Sequence, residues 1–293
     1  MKGNTEDKVI NIVLFILMSI VTLVTLYPLY YSFIISLNDA NDIAEKGFIY
    51  LSPRKFTLEN FKIVFTESKL AHSFLITGAR TILGTIASVL FTACVSYPLS
   101  KKYLALRSFY IRTGVITMYF FGGIIPTYLL LNSLGLIDTF LVYIIPSLYS
   151  FFNAILFINF FSSIPDALEE SAKIDGANDW RVFWKIFLPL SAPILATVSL
   201  FYGVQQWNSW FDAAYYTNSP DLATLQLVLY QIISQSEGAA IAANYLGAGK
   251  QNINIIDSMK YATMVVSVVP VALAYPFLQK YFVQGMMVGS VKG

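Results

Sequence analysis

The residues with the most evident chemistry lie in one polar run, Glu169-Glu170-Ser171-Ala172-Lys173-Ile174-Asp175-Gly176-Ala177, set between two long apolar segments. Its acids do not belong to a hydrolytic centre. The chain has one histidine, His72, and one cysteine, Cys94. Neither a Ser-His-Asp triad with a choice of partners nor an HExxH or cysteine-rich zinc site can be assembled from these. Gly247-Ala248-Gly249-Lys250 imitates a phosphate loop, but that motif needs Gly at 244 and Ser or Thr at 251, where this chain has Asn and Gln. What the polar run can do is bind. Carboxylates accept charge-assisted hydrogen bonds, and a glycine lets another surface approach closely.

A second group closes a later apolar segment: Tyr202, Gln205, Gln206, Trp207, Asn208, Trp210 and Phe211. Amides deep in an apolar run are costly when they face lipid. Aromatic faces beside amides and hydroxyls suit sugars, whose C–H faces stack and whose hydroxyls hydrogen-bond. Tyr202, Gln206, Trp207, Asn208 and Trp210 are therefore candidates to line a substrate pathway. An interfacial aromatic belt accounts for the same residues.

These groups must be positioned by helices. Ser163 and Asp166 have capping-box spacing, and Pro165 suits a first turn. Asp166, Glu169 and Glu170 lie near the positive end of the helix dipole. Gly176 permits positive φ and a stop, and Asn178 or Asp179 can cap the next helix.

Composition sets the class. With 56% hydrophobic residues, 12% charged and mean hydropathy +0.62 over 293 residues, the chain is an integral membrane protein. The first apolar run is too long for a signal-peptide core and reads as a retained helix. The net charge of +2 gives no case for nucleic acid. The expected fold is all-α and polytopic, a single domain over 1–293, with six spans near 9–38, 71–100, 110–132, 138–162, 186–211 and 260–283. A seventh apolar stretch, 222–236, is short and broken by Gln226, Gln231 and Gln235, so it is read as a loop helix within an outer loop, 213–257.

Basic residues orient the chain. With the N-terminus inside, inner segments hold eleven Lys and Arg, four of them within 101–112, and the much longer outer segments hold seven. Both termini and the 163–185 loop then face the cytoplasm. The outer loop 39–70 carries five basic and five acidic residues and an amphipathic stretch, Phe56, Leu58, Phe61, Ile63 and Phe65, behind a Thr57–Asn60 cap. Helix packing is the main role read for it, contact with an external partner the other. Gly122-Gly123-Ile124-Ile125-Pro126 predicts a kink or unwound site, with packing through small residues as the competing account. Asn153 puts an amide in the fourth span. Arg80 is a charge within an apolar run, of the kind that faces protein or water, although near an outer end snorkelling also accounts for it; His72 is expected to sit at the interface.

Glu170-Ser171-Ala172, three residues, Gly176, nine residues, Ile186, one residue, Leu188-Pro189 resembles the EAA loop of ABC importer permeases. The fuller EESAKIDGANDWRVFWKIFLPL is similar to the carbohydrate (maltose-type) branch, with Ser171 in place of the usual Ala. The segments WNSWF, FFGGIIPTYLL and LGLIDTFLVYIIP, with the tail YPFLQKYFVQGMMVGSVKG, resemble the subgroup handling complex or uronate-containing oligosaccharides, alginate- or pectin-like. The resemblance implies a cytoplasmic coupling helix between the fourth and fifth spans, with Glu169, Glu170, Ser171, Ala172, Asp175 and Gly176 meeting an ATPase. It implies a multi-pass protein of the bacterial inner membrane, in contact with lipid and without enzymatic activity or cofactor of its own. Two ATPase subunits would bind ATP and Mg, a second homologous permease would complete the pore, and an extracytoplasmic binding protein would deliver an oligosaccharide. Two other classes share part of the pattern. An importer permease for a non-sugar solute has a looser loop, and a self-sufficient secondary transporter would show internal repeats or paired buried charges, neither of which is visible here.

Overall fold

The computed structural model describes residues 5–246 except 48, 50 and 67, together with 260–274 and 276. The tail pattern beyond 276, the 247–250 glycine run and the end of the sixth expected span lie outside the described residues. Every regular element among the described residues is helical; outside helices they hold one isolated bridge, Asn38 to Phe56. The described residues of Met1–Ala71 and Leu229–Val269 gather into one compact unit. Those of His72–Val228 and Pro270–Gly293 gather into another.

In the first unit, α1 (Thr5–Ser36) is apolar on every side and exposes Phe15, Leu23 and Val24, the pattern of a lipid-facing span. Asn38 organises the turn after it. Its Oδ1 accepts from the N–H groups of Arg54 and Lys55 (2.8 and 2.9 Å), and its Nδ2 donates to Asp42. Asp39 caps α2 (Ala40–Lys46) by accepting from Asn41 and Asp42 N–H. Asp42 also takes Arg54 Nε at 2.8 Å and Lys46 at 3.2 Å; the Arg54 hydrogen bond, above all, holds its carboxyl at a pKa of about 2. α3 (Glu59–Thr66) begins where Thr57 accepts from Glu59 N–H. It buries Asn60 and Val64; of the apolar stripe, Phe61 and Ile63 are half-buried, while Phe65 and, ahead of the helix, Phe56 and Leu58 are exposed.

The chain enters the second unit within α4 (Ser68–Ser100). α5 (Arg107–Tyr119) and α6 (Ile124–Ser133) follow, turned by 117° across Phe120–Gly123, with Gly123 at φ +92°. The interruption falls where Gly-Gly-x-x-Pro places it, but it is a sharp turn rather than a kink. Two tight turns over Phe140–Ser147 lead into α7 (Phe151–Phe161) at 50°. α8 (Asp166–Ile174) is followed by α9 (Asp179–Leu190), which loosens into a π turn at Phe183–Phe187. α9 breaks at Ser191 into α10 (Ala192–Asn208) at 82°. Each of the runs 110–132, 138–162 and 186–211 is thus interrupted, the first at Gly122-Gly123 and the last between Pro189 and Pro193, where the backbone ladder is broken. Among the described residues two helices are long and apolar enough to cross a membrane, or five if each bent pair is one span. α11 (Phe211–Tyr216) comes next. α12 (Leu225–Leu246) runs well past the stretch read as a loop helix, through Glu237 and Gly238 into an alanine-rich sequence that favours helix. From Leu229 the chain belongs to the first unit again, as does α13 (Lys260–Ala274) up to Val269; there Tyr261 lies edge-on to Tyr31.

The core of the second unit joins Tyr97, Phe157, Phe161, Phe183, Phe187, Val198 and Tyr202. Two glycines bring its helices together. A Cβ on Gly84 would stand 2.7 Å from Gln206 Nε2, and one on Gly114 would stand 2.1 Å from the Phe151 ring. Asn153 is buried, and its Oδ1 has no hydrogen-bond partner.

Candidate coupling site and membrane pathway

α8 stops as its sequence requires. Gly176 takes φ +79°, its N–H donates to Lys173 O (3.0 Å), and Ala177 N–H donates to Ala172 O (2.9 Å). Those two bonds are a Schellman stop, which satisfies carbonyls the helix end leaves open. Asn178 then caps α9, its Oδ1 accepting from Arg181 N–H at 2.9 Å. The capping box at the other end does not form. Ser163 donates instead to Phe160 O (2.6 Å), a carbonyl in the last turn of α7 that also accepts the Ser163 N–H (2.9 Å). Pro165 stands just outside the first helical residue, Asp166.

The polar run divides by face. Glu170, Ser171, Asp175 and Gly176 are exposed, Ala172 is half-buried, and Ile174 is 86% exposed. Glu169 is only 5% exposed and turns inward, so it is not on the face a partner would meet. Its carboxylate accepts from Lys101 Nζ, from Lys173 Nζ at 2.8 Å and from the Tyr103 hydroxyl at 3.1 Å. Burial alone would raise its pKa; the hydrogen bonds from Lys101 and Lys173 outweigh burial and hold it below the ordinary value. Lys173 also reaches Asp179 at 2.9 Å, and its pKa is raised by Glu169 and then by Asp179.

The pathway group separates in the same way. Gln206 is buried, donating to Tyr143 O (3.0 Å) and Ser147 Oγ (2.6 Å) and accepting from Arg80. Tyr202 is buried, its hydroxyl 2.7 Å from Thr92 Oγ1 and accepting from Ser150 N–H. Trp207 is buried edge-on to Phe74. Asn208 is exposed and Trp210 half-buried. The buried amide that suggested a lining is satisfied by the protein itself.

Arg80 does not snorkel. It is 1% exposed and binds Asp212 (2.5 and 3.0 Å), Gln206 Oε1 and Ser209 O, with its guanidinium 4.3 Å from the centre of the Tyr143 ring. This is a paired buried charge that the sequence did not reveal. A cation in an apolar run was the available signal, since such a group seeks a partner. His72 hydrogen-bonds through Nε2 with Asp221 O at 2.9 Å.

Among the described residues no constellation makes or breaks bonds; the arrangement presents a capped helical knob and a sealed polar seam. Known proteins agree with a transport role. The family model "Binding-protein-dependent transport system inner membrane component" matches residues 1–288. The polygalacturonan/rhamnogalacturonan transport system permease protein YtcP of Bacillus subtilis is 40% identical over 258 residues, 88% of this chain and 89% of its own length. Protein LplC of the same organism is 39% identical over 252 residues, 86% of this chain and 84% of its own. A chain from the crystal structure of a bacterial ABC transporter involved in the import of the acidic polysaccharide alginate superposes with a TM-score of 0.85. It is 30% identical, and the match covers 96% of this chain and 99% of that one. A capped knob between apolar helices, the EAA spacing and this family match together identify the chain as a member of the binding-protein-dependent inner-membrane component family, a permease subunit of an ABC importer and not an enzyme.

Proposed function

We propose that this chain is one of two non-identical permeases in an importer of acidic oligosaccharides, worked by ATPases that dock on the 163–185 loop. The observation that carries the docking is the two-sided α8. Glu170, Ser171 and Gly176 lie open to solvent, while Glu169 is sealed inward and fixes the helix to its own protein. Six spans with both termini cytoplasmic accord with the dense basic residues at 101–112 and in the loop. ATP and Mg belong to the two ATPase subunits, and an extracytoplasmic binding protein delivers the sugar. For the substrate, the relatives named for polygalacturonan/rhamnogalacturonan and for alginate favour uronate-containing chains. Asn208 and Trp210 are the members of the pathway group left to meet a solute; Tyr202, Gln206 and Trp207 support them from behind.

Gly176→Val and Glu170→Ala test the docking. Nothing lies within 4 Å of a Cβ built on Gly176, so inside this chain valine adds only the strain of positive φ. Loss of ATPase co-purification in an otherwise intact permease pair therefore reports the docking surface. Wild-type association and uptake in both variants would make the loop a plain linker. For the substrate, vesicles holding the full importer should accumulate trigalacturonate or a guluronate trimer over maltotriose; preference for maltotriose would overturn the acidic assignment.

A further inference from the structure

Glu169 and Lys101 are the deepest-set charges at this end of the protein, and docking does not use them. Lys101 follows α4 directly and is itself buried. Its ammonium pairs with Glu169 on α8 and lies 3.9 Å from the centre of the Phe187 ring on α9 and 4.8 Å from that of Tyr97 on α4. One cation thus touches three helices. Around it, the Ser162 hydroxyl donates to Ser100 O (3.2 Å) and Tyr103 donates to the same Glu169. Towards α9, α8 is held by the Lys173–Asp179 pair.

We infer that Lys101 and Glu169 form a charge clamp that makes α8 and the cytoplasmic end of α4 move as one body, so that displacement of the docked loop reaches α4 directly as well as α9. Both groups act through the helices they join, which makes them positioning residues. A buried pair suits this task. Separating the charges, or removing one, strands the other away from water, so the contact holds whole or fails whole.

The inference rests on the docking reading, and its test is separable from it. Spin labels at Lys102→Cys and Ala167→Cys, both exposed positions, are introduced in a Cys94→Ser background of the assembled importer. Their separation is read in the nucleotide-free state and with ATP and vanadate. In the parent the two distance distributions should coincide. In Lys101→Met/Glu169→Gln, which removes both charges and leaves neither stranded, the pair should shift between states by about 2–5 Å, the range of packed-helix rearrangements. The double variant keeps the experiment possible where either single change fails to assemble. A state-dependent shift in the parent, or none in the double variant, overturns the clamp. A purely structural pair would leave the double variant moving as the parent does. Failure of docking shows separately, as undiminished ATPase association in Glu170→Ala and Gly176→Val.

Discussion

Neutralising either member of the Arg80–Asp212 pair should destabilise the permease by several kcal/mol, and neutralising both should cost less than the sum. The Arg80 side chain is 2% exposed and that of Asp212 20%. In Asp212→Asn the guanidinium keeps Gln206 Oε1, Ser209 O and the Tyr143 face but loses its counter-charge. A guanidinium cannot shed its proton, and this one cannot reach water. Removing one partner of a buried pair costs about 3–5 kcal/mol; neutral dipoles already in place put this case near the lower end. In Arg80→Met, Asp212 keeps the Ser209 hydroxyl and Ala213 N–H, both at 2.9 Å, and some hydration. Gln206 Oε1 then loses its donor, an unsatisfied buried acceptor worth about 1–3 kcal/mol. The total again comes to about 3 kcal/mol.

The double variant strands no charge, so about 4 kcal/mol rather than 6 is expected, a coupling of about 2 kcal/mol of the size contacting residues show. SDS titration of the detergent-solubilised complex, followed by tryptophan fluorescence, measures all three. The coupling should persist in high salt, since buried pairs are weakly screened. Additive losses, or coupling that vanishes in salt, would mean that the charges do not act on each other in the folded protein, and the account of Arg80 would be wrong.

Three further outcomes rest on the same geometry. Gly114→Ala should cost about 1–3 kcal/mol by overpacking against Phe151, while Gly78→Ala, with nothing within 4 Å, should be nearly silent in the same titration. Asp42 has a depressed pKa, about 2 against an ordinary 3.8. Its stabilising effect is therefore complete above pH 4 and is lost as pH falls towards 2; protease sensitivity of the 47–57 segment should rise over that window, and Asp42→Asn should show the increase already at neutral pH. Asn208→Ala should change the uptake rate or solute preference with assembly intact, whereas Gln206→Ala should lower assembly itself, measured by recovery of the permease pair.

How far the sequence can be read depends on how far each cause reaches along the chain. The stop at Gly176, the cap at Asn178 and the break at Gly122-Gly123 are set by one or two residues acting on neighbouring backbone, and each is legible. Ser163 misleads because its spacing to Asp166 is equally available to the carbonyl of Phe160, and only the end of α7 decides between them. Glu169 and Glu170 are adjacent and chemically alike, yet one is sealed and the other open. The choice is made by Lys101, 68 residues earlier. Gln206 and Arg80 each stand out of place in an apolar run, but their mutual contact spans 126 residues, and neither pattern nor propensity carries that distance. The extension of α12 to Leu246 is hidden for a different reason: Glu237 and Gly238 end the charge-free apolar run, but neither ends the helix, and the alanine-rich sequence after them has high helix propensity.

The two buried cations share a placement that explains their chemistry. Arg80 and Lys101 both belong to α4 or its immediate end, 21 residues apart, which at about 1.5 Å per residue is roughly 32 Å of helix. The hydrocarbon core of a bilayer is about 30 Å thick. The two cations thus stand about one slab thickness apart, and each, being buried, gains most from a fixed partner. The partners bracket the α9–α10 segment, Glu169 before it and Asp212 after it. Between the two ion pairs the contacts change character: Thr92 meets Tyr202, and Gly84 lies bare against Gln206. α4 is thus fastened to one continuous stretch of chain by ionic contacts at two levels about 32 Å apart and by small residues and hydroxyls between them. A helix held this way resists sliding and tilting against its neighbour, which is what the proposed docking requires if movement of the 163–185 loop is to reach the proposed pathway.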